Sequence, residues 1–288
     1  MTLEQAVQAT AQSFEQAQLY YGHGTASAWD EAVALVLAVT QASDDQASLG
    51  RVLTAIEADR IAALAERRIA DREPLAYLLG EWPYLGLPFF IERGVLVPRS
   101  PIAYWLAQHS DRWIPAPPRR VLDLCTGSGC IGIVTALAYP DAQLWLTDLD
   151  PAALALAQRN VARHGLAGRT QLLQMDGVAA LAAVQGFDLV LCNPPYVNAR
   201  DMASLPREYQ AEPAFALAAG MDGLDIMLPV LDALPGLLAP HGLFLGEVGH
   251  SAAALRRARP ELPLHWLDDD GADAGLFALP GPAHAAPS

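Results

Sequence analysis

The sequence predicts an α/β protein in which an open sheet follows a small helical bundle, with a β-hairpin joining the two. Three observations carry this. Helix-period apolar patterns fill residues 2 to about 72, aromatic and β-branched residues then cluster around Gly86 and Gly94, and from Val121 onward short apolar runs alternate with helix-like stretches. A chain of 288 residues exceeds one average domain, and with 52% hydrophobic and 17% charged residues it can bury a sizeable core.

The helical part reads as three helices, near 3–19, 29–41 and 51–70, broken by the loop Tyr21-Gly22-His23-Gly24-Thr25 and by the polar stretch 41–46. Residues 81–99 read as the hairpin, and Pro115-Ala116-Pro117-Pro118 as a stiff entry to the first strand of the sheet. This divides the chain into a helical domain (1–80), a linker (81–99), a sheet domain (100–280) and a tail (281–288) expected to be disordered for its proline and alanine content.

Within the sheet domain, Val121-Leu122-Asp123-Leu124-Cys125-Thr126-Gly127-Ser128-Gly129 reads as a buried strand and a tight glycine turn, leading into a helix over 131–139. Gly127 and Gly129 let a ligand approach the backbone, and the helix start offers free N–H groups. Gly132 completes a dinucleotide-type glycine spacing, so the glycines alone leave a dehydrogenase open.

The next strand, 143–147, ends at Asp148, placed about twenty residues after the glycines to grip two ribose hydroxyls. Asp150-Pro151 reads as a helix cap and first helical residue. Strand 170–175 ends at Asp176, which either accepts a bond from an adenine amino group or closes the strand into a turn. Strand 187–192 delivers Asn193-Pro194-Pro195-Tyr196, where an asparagine and a proline carbonyl can accept both N–H bonds of an amide and two prolines fix the backbone. A rigid turn leaving a strand is the alternative reading of Pro-Pro. These strand ends meet at one crevice, where open α/β sheets bind ligands.

Further on, Pro229 and Pro235 require the helical stretch 223–238 to be kinked or divided, and a fifth strand follows at 243–248. Cys125, Cys130 and Cys192 are expected to stay reduced, and no zinc-type cysteine spacing occurs. His23 and His109 read as structural, and Asp268-Asp269-Asp270 as a solvated loop. Arg99, between prolines, either reaches a cofactor carboxylate or forms a structural ion pair.

In this order, glycine loop, acidic ribose residue, strand-end aspartate and NPPY resemble the Rossmann-like class I methyltransferases. The resemblance implies a mostly parallel seven-stranded sheet and S-adenosylmethionine as cofactor, held by Asp123, Cys125, Thr126, Gly127, Ser128, Gly129, Asp148, Asp176 and Asn193. It also implies that Asn193, Pro194, Pro195 and Tyr196 bind the substrate, with Asn193, Pro194 and Tyr196 catalytic. Gly177 stands where these enzymes often carry a bulky residue, which leaves adenine packing to a neighbour such as Val178.

The YGHGT loop, Trp29-Asp30-Glu31-Ala32-Val33 and Arg93 to Ile102, with its Pro98-Arg99-Ser100-Pro101 core, are similar to the protein-glutamine methyltransferases that modify large-subunit ribosomal protein three. The sister group acting on the GGQ glutamine of release factors usually has an acidic, threonine-containing segment after the Pro-Arg. A ribosome-assembly protein that binds without turnover is the alternative of another class.

A net charge of −14, from 18 basic against 32 acidic residues with no basic cluster, disfavours a duplex-DNA substrate and suits a very basic protein, free or in an assembly intermediate. The amino terminus lacks the basic start and apolar core of a secretory signal, and no uncharged apolar run reaches membrane-spanning length. A cytoplasmic location is therefore expected, with no membrane partner and no metal.

Overall fold

The structure, a computed structural model, describes residues 1–175, 185–267 and 275–284. Three helices, α1 (Leu3–Gln16), α2 (Ala28–Thr40) and α3 (Ala55–Asp71), form the amino-terminal bundle, followed by the short α4 (Leu75–Leu79). Thr2 and Thr54 start α1 and α3 with capping boxes, their hydroxyls accepting from Gln5 and Glu57 backbone N–H groups. Hence α3 begins at the capping residue and not at Arg51.

The hairpin is present as β1 (Glu81–Tyr84) and β2 (Leu87–Phe90), paired antiparallel. Its two turn residues, Leu85 and Gly86, both have positive φ (49° and 75°), the twist a two-residue hairpin requires. A fifth helix, α5 (Ile102–Trp113), then leads to the sheet domain, where β3 (Arg120–Leu124), α6 (Cys130–Ala138), β4 (Gln143–Asp148), α7 (Pro151–Arg163) and β5 (Thr170–Gln174) alternate. The chain continues through β6 (Phe187–Cys192), two single-turn helices α8 (Ala199–Met202) and α9 (Arg207–Gln210), α10 (Met227–Leu237), β7 (Leu238–Glu247), α11 (Ala252–Ala258), β8 (His265–Trp266) and β9 (Leu276–Pro280).

Seven strands form one sheet in the order β5-β4-β3-β6-β7-β9-β8, with β9 antiparallel to both its neighbours and the other pairs parallel. From β3 the chain winds outward on one side through β4 and β5, and from β6 on the other through β7. The strand order therefore reverses between β3 and β6, and the glycine loop and NPPY segment leave the sheet on either side of that switch point. The central residues of β3, β4 and β6 and the second half of β7 are buried, as a sheet covered on both faces demands.

One apolar cluster runs without a break from α1, α2 and α3 through Trp82, Tyr84 and Phe89 of the hairpin to the sheet, so the bundle is packed onto the sheet domain. A second cluster joins the other sheet face to α10 and α11. In the stretch expected to be kinked or divided, α10 occupies Met227–Leu237 and continues past both prolines. Pro229 falls in its first turn, where the missing N–H would have no partner anyway, and Pro235 lies two residues from its end. The fifth strand starts earlier than its apolar run, at Leu238. Residues 281–284, expected in a disordered tail, fold back instead, Gly281 N–H donating to Gly242 O and Ala283 N–H to Pro240 O at 2.8 Å each.

Candidate active site

The glycine loop is built by strand-end backbone. After Leu124 the chain turns through Cys125 (φ 54°) and Gly127 (φ 55°), with Thr126 N–H donating to Thr147 O at 3.0 Å. Gly129 caps α6 at φ 82°, and a side chain on Gly132 would lie 2.6 Å from Leu146, so the third glycine serves close packing of α6 on the sheet. Beneath the loop, Asp123 is fully buried and accepts from Thr126 Oγ1 (2.6 Å) and Gly132 N–H (3.0 Å). Burial pushes its carboxyl up to about 7 against those two bonds, so Asp123 is a brace for the loop.

Asp148, at the tip of β4, accepts from Gly127 N–H at 2.8 Å with one oxygen and from Asp150 N–H at 3.0 Å with the other. Burial raises its carboxyl, while these bonds work in the opposite direction. Asp150 caps α7, accepting from Ala152 N–H at 2.9 Å, with Pro151 in the first helical position as expected. The glycine loop is held from α7 as well. Asn160, fully buried, donates to Ser128 O at 2.9 Å and exchanges bonds with Phe90 N–H (2.8 Å) and O (3.1 Å) of the hairpin.

Beyond β6, the NPPY segment is anchored from three sides. Tyr196 OH donates to Glu247 Oε1 at 2.9 Å, Ser251 Oγ donates to Tyr196 O at 3.0 Å, and Val197 bridges to the strand-like stretch at Leu217 and Ala219. Glu247 also accepts from Ser100 Oγ at 2.6 Å, which ties the linker to the same carboxylate. The Tyr196 ring lies against Gly249, where a Cβ would come within 2.5 Å of it. Burial and the neighbouring Glu247 charge raise the Tyr196 phenol well above its ordinary value, so it stays protonated. Among the described residues, no donor occupies the Asn193 side-chain oxygen or the Pro194 carbonyl.

Between these elements lies a cavity of about 360 Å³. Leu124, Cys125 and Gly127 form one side, Thr147 to Asp150 with Ala153 a second, and Asn193 with Pro195 a third. Gly94 to Leu96 of the linker, Phe215, Ala216, Asp225, Ile226, Pro229 and Val230 close the remainder. The structure thus brings Cys125, Gly127, Asp148, Asn193 and Pro195 together at one cavity. Asp123, Thr126 and Ser128 were expected to touch a cofactor too, but all three are buried and none lines the cavity, Asp123 within β3 and the other two as alternate residues of the turn. Gly129, Pro194 and Tyr196 do not line the cavity, and Asp176, Gly177, Val178 and the acidic run at 268–270 lie outside the described residues.

Arg99 resolves to the ion-pair reading. Both its terminal nitrogens meet Glu212 at 2.8 Å, and its guanidinium stacks 5.1 Å from the Tyr209 ring centre. His23, from the YGHGT loop, meets the same carboxylate at 3.2 Å, and Val97 N–H donates to it at 2.9 Å.

Three apolar wall residues were missed in the sequence, Phe215 from an irregular stretch and Ile226 and Val230 from the start of α10, because which of them face the cavity is decided by tertiary packing. Among the described residues, three carboxylates, Asp148, Asp150 and Asp225, line the cavity and no lysine or arginine does. Such a donor set repels the pyrophosphate of a dinucleotide and suits a nucleoside that carries positive charge. The carboxylate of Asp148, the open backbone at Gly127 and the apolar walls fit S-adenosylmethionine, a sulfonium cation.

Residues 106–209 match the methyltransferase small domain family model. Over 272 residues the chain is 42% identical to the ribosomal protein uL3 glutamine methyltransferase of Bordetella pertussis, covering 93% of this chain and 91% of that one. It is 38% identical to the protein of the same name from Bradyrhizobium diazoefficiens, covering 96% and 90%. Among solved structures, the catalytic domain of hMettl16 in complex with MAT2A 3'UTR hairpin 6 is similar at a TM-score of 0.53 and 18% identity, over 83% of this chain and 87% of that one, a likeness of fold. Identity at this level, sustained from the helical bundle through the whole sheet, places the chain in the family of ribosomal protein uL3 glutamine methyltransferases, which use S-adenosylmethionine.

Proposed function

We propose that the protein methylates the side-chain amide nitrogen of a glutamine in ribosomal protein uL3, free or in an assembly intermediate. The observation that carries the chemistry is the NPPY segment, which sets an asparagine oxygen at the cavity wall on a backbone stiffened by two prolines and anchored through Tyr196. Relatives of nearly full length supply the substrate, since their names specify uL3.

When bound, S-adenosylmethionine supplies an electrophilic methyl group. Asp148 would accept from its ribose hydroxyls, and Cys125 and Gly127 would face it with backbone. An amide nitrogen is a poor nucleophile because its lone pair is delocalised into the carbonyl. Asn193 Oδ1 and the Pro194 carbonyl would each accept one of its N–H bonds and fix its direction, an alignment that can supply on the order of several kcal/mol of the barrier. Tyr196 acts through position. Its hydroxyl is committed to Glu247, so it steadies the segment and is not the proton acceptor. As the nitrogen–carbon bond forms, the methyl–sulfur bond would break and leave a neutral thioether, and the N-methylated amide, now strongly acidic, would lose its proton to water, so no side chain need abstract it beforehand.

Transfer of label from S-adenosylmethionine to purified uL3 and, separately, to a peptide release factor tests this reading, with the modified residue mapped by mass. Label on a glutamine of uL3 alone is the expected result. Label on the release factor would move the substrate to the GGQ class, and label on neither would leave a binding protein.

A further inference from the structure

A second groove lies on the helical bundle and shares no residue with the active-site cavity. It has a volume of about 140 Å³ and runs between α1 (Leu3, Val7), α2 (Trp29, Val33, Leu37) and the loop carrying Asp44, Asp45 and Leu49. Trp29 is 49% exposed beside it, a costly arrangement for the largest apolar side chain unless something covers the ring. Glu4, Asp44 and Asp45 form its rim. Neither Glu4 nor Asp44 has a hydrogen-bonding or ionic partner for its side chain among the described residues. The groove sits in a stretch of one sign. The first fifty residues hold six carboxylates and no lysine or arginine.

We propose that this groove docks an extended basic segment of the substrate, remote from the glutamine, seating one arginine or lysine side chain. The proposal rests on uL3 being the substrate and adds where it is gripped. A long cationic side chain matches the groove in both of its properties. Its aliphatic stem runs along Val7, Val33 and Leu37, and its head reaches the carboxylate rim, with an arginine able to stack on Trp29. Nucleic acid is repelled by the same rim, and a second copy of this chain, itself at −14, offers little complementary charge. Bidentate rim contacts would leave the chemistry untouched and act on substrate affinity.

The test compares the unaltered protein with Asp44→Arg/Asp45→Arg and with Trp29→Ala, all exposed positions outside the active site. Steady-state methylation of uL3 is followed over a range of NaCl concentrations, alongside S-adenosylmethionine affinity, melting and sedimentation. Both variants should raise the KM for uL3 about tenfold with kcat, donor affinity and melting retained, and the charge reversal should flatten the rise of KM with salt. A KM within twofold of the unaltered protein in both variants overturns the proposal. So does a dimer that Trp29→Ala dissolves, which would give the groove to a second copy. Titration of uL3 without donor separates the two readings. Groove-dependent binding with no methyl transfer would sink the substrate assignment alone, and methyl transfer with groove-independent binding would sink this one alone.

Discussion

Asn193 is placed by what precedes and follows it more than by any contact of its own. A buried strand fixes its backbone, two prolines hold the exit, and the residue lines the cavity. Asn193→Ala should therefore lower kcat by on the order of a hundredfold or more while leaving S-adenosylmethionine affinity within a few-fold, read by turnover and by direct donor titration. Near-normal turnover would remove Asn193 from the mechanism. At this scale the sequence was informative about identity and less so about direction. Gly127, Asp148 and Asn193 could be placed at the cavity because each stands at or just beyond the end of an apolar strand run. Asp123, Thr126 and Ser128 sit in the same motif, yet they face inward, and one residue of turn geometry decides the difference.

Elements depend on a few backbone positions that admit no side chain. Gly249 has φ 46° and a Cβ there would press on the Tyr196 ring. Gly249→Ala should displace the ring, break the Tyr196–Glu247 bond and cost about 2 kcal/mol of stability, with kcat falling at least tenfold. Melting temperature and turnover measured together check it, and a variant with parental kcat would detach Tyr196 from catalysis. The strands, the hairpin and the capped helices were legible because period, cap and turn chemistry are local. The course of α10 was not, since Pro229 removes only a first-turn N–H that has no partner, and the bond Pro235 forfeits falls in the last turn, two residues from the end. The wall of Phe215, Ile226 and Val230 was hidden for another reason, as its residues meet only through tertiary packing.

Across the whole molecule, buried charge joins parts that are distant in sequence. Arg68 on α3, 1% exposed, pairs with Glu31 and lies 3.6 Å from Glu208, while Arg72 meets Glu208 at 3.3 Å. Arg99 of the linker and His23 of the bundle converge on Glu212, three residues before the cavity wall at Phe215. Burial would raise the Glu212 carboxyl, but the Arg99 charge and the nearby His23 bring it down to about 2. A folded-state value below the ordinary 4.5 means the group stabilises fully above pH 4.5, and that contribution is lost as pH falls toward 2. Glu212→Gln should cost on the order of 3 kcal/mol at neutral pH, by leaving Arg99 without its counter-charge. Denaturant melts should show the gap to the parent narrowing below pH 4.5, and a gap that widens in acid would contradict the assignment. Among the described residues no helix is long and apolar enough to cross a membrane.

The cavity draws most of its wall from five stretches, the linker at 94–96, the loop at 124–127, the strand ends at 147–150 and at 193–195, and the run from Phe215 to Val230. Synthesis delivers them in that order. A nascent chain has made its glycine loop and NPPY segment well before α10 emerges, and until then the donor site lacks the wall from Phe215 to Val230. The stretch that bears the family signature, residues 106–209, likewise omits both the linker wall and the α10 wall. The pieces that identify the protein as a methyltransferase are thus insufficient to make it one, and competence to bind its donor arrives late, as a property of the nearly finished chain.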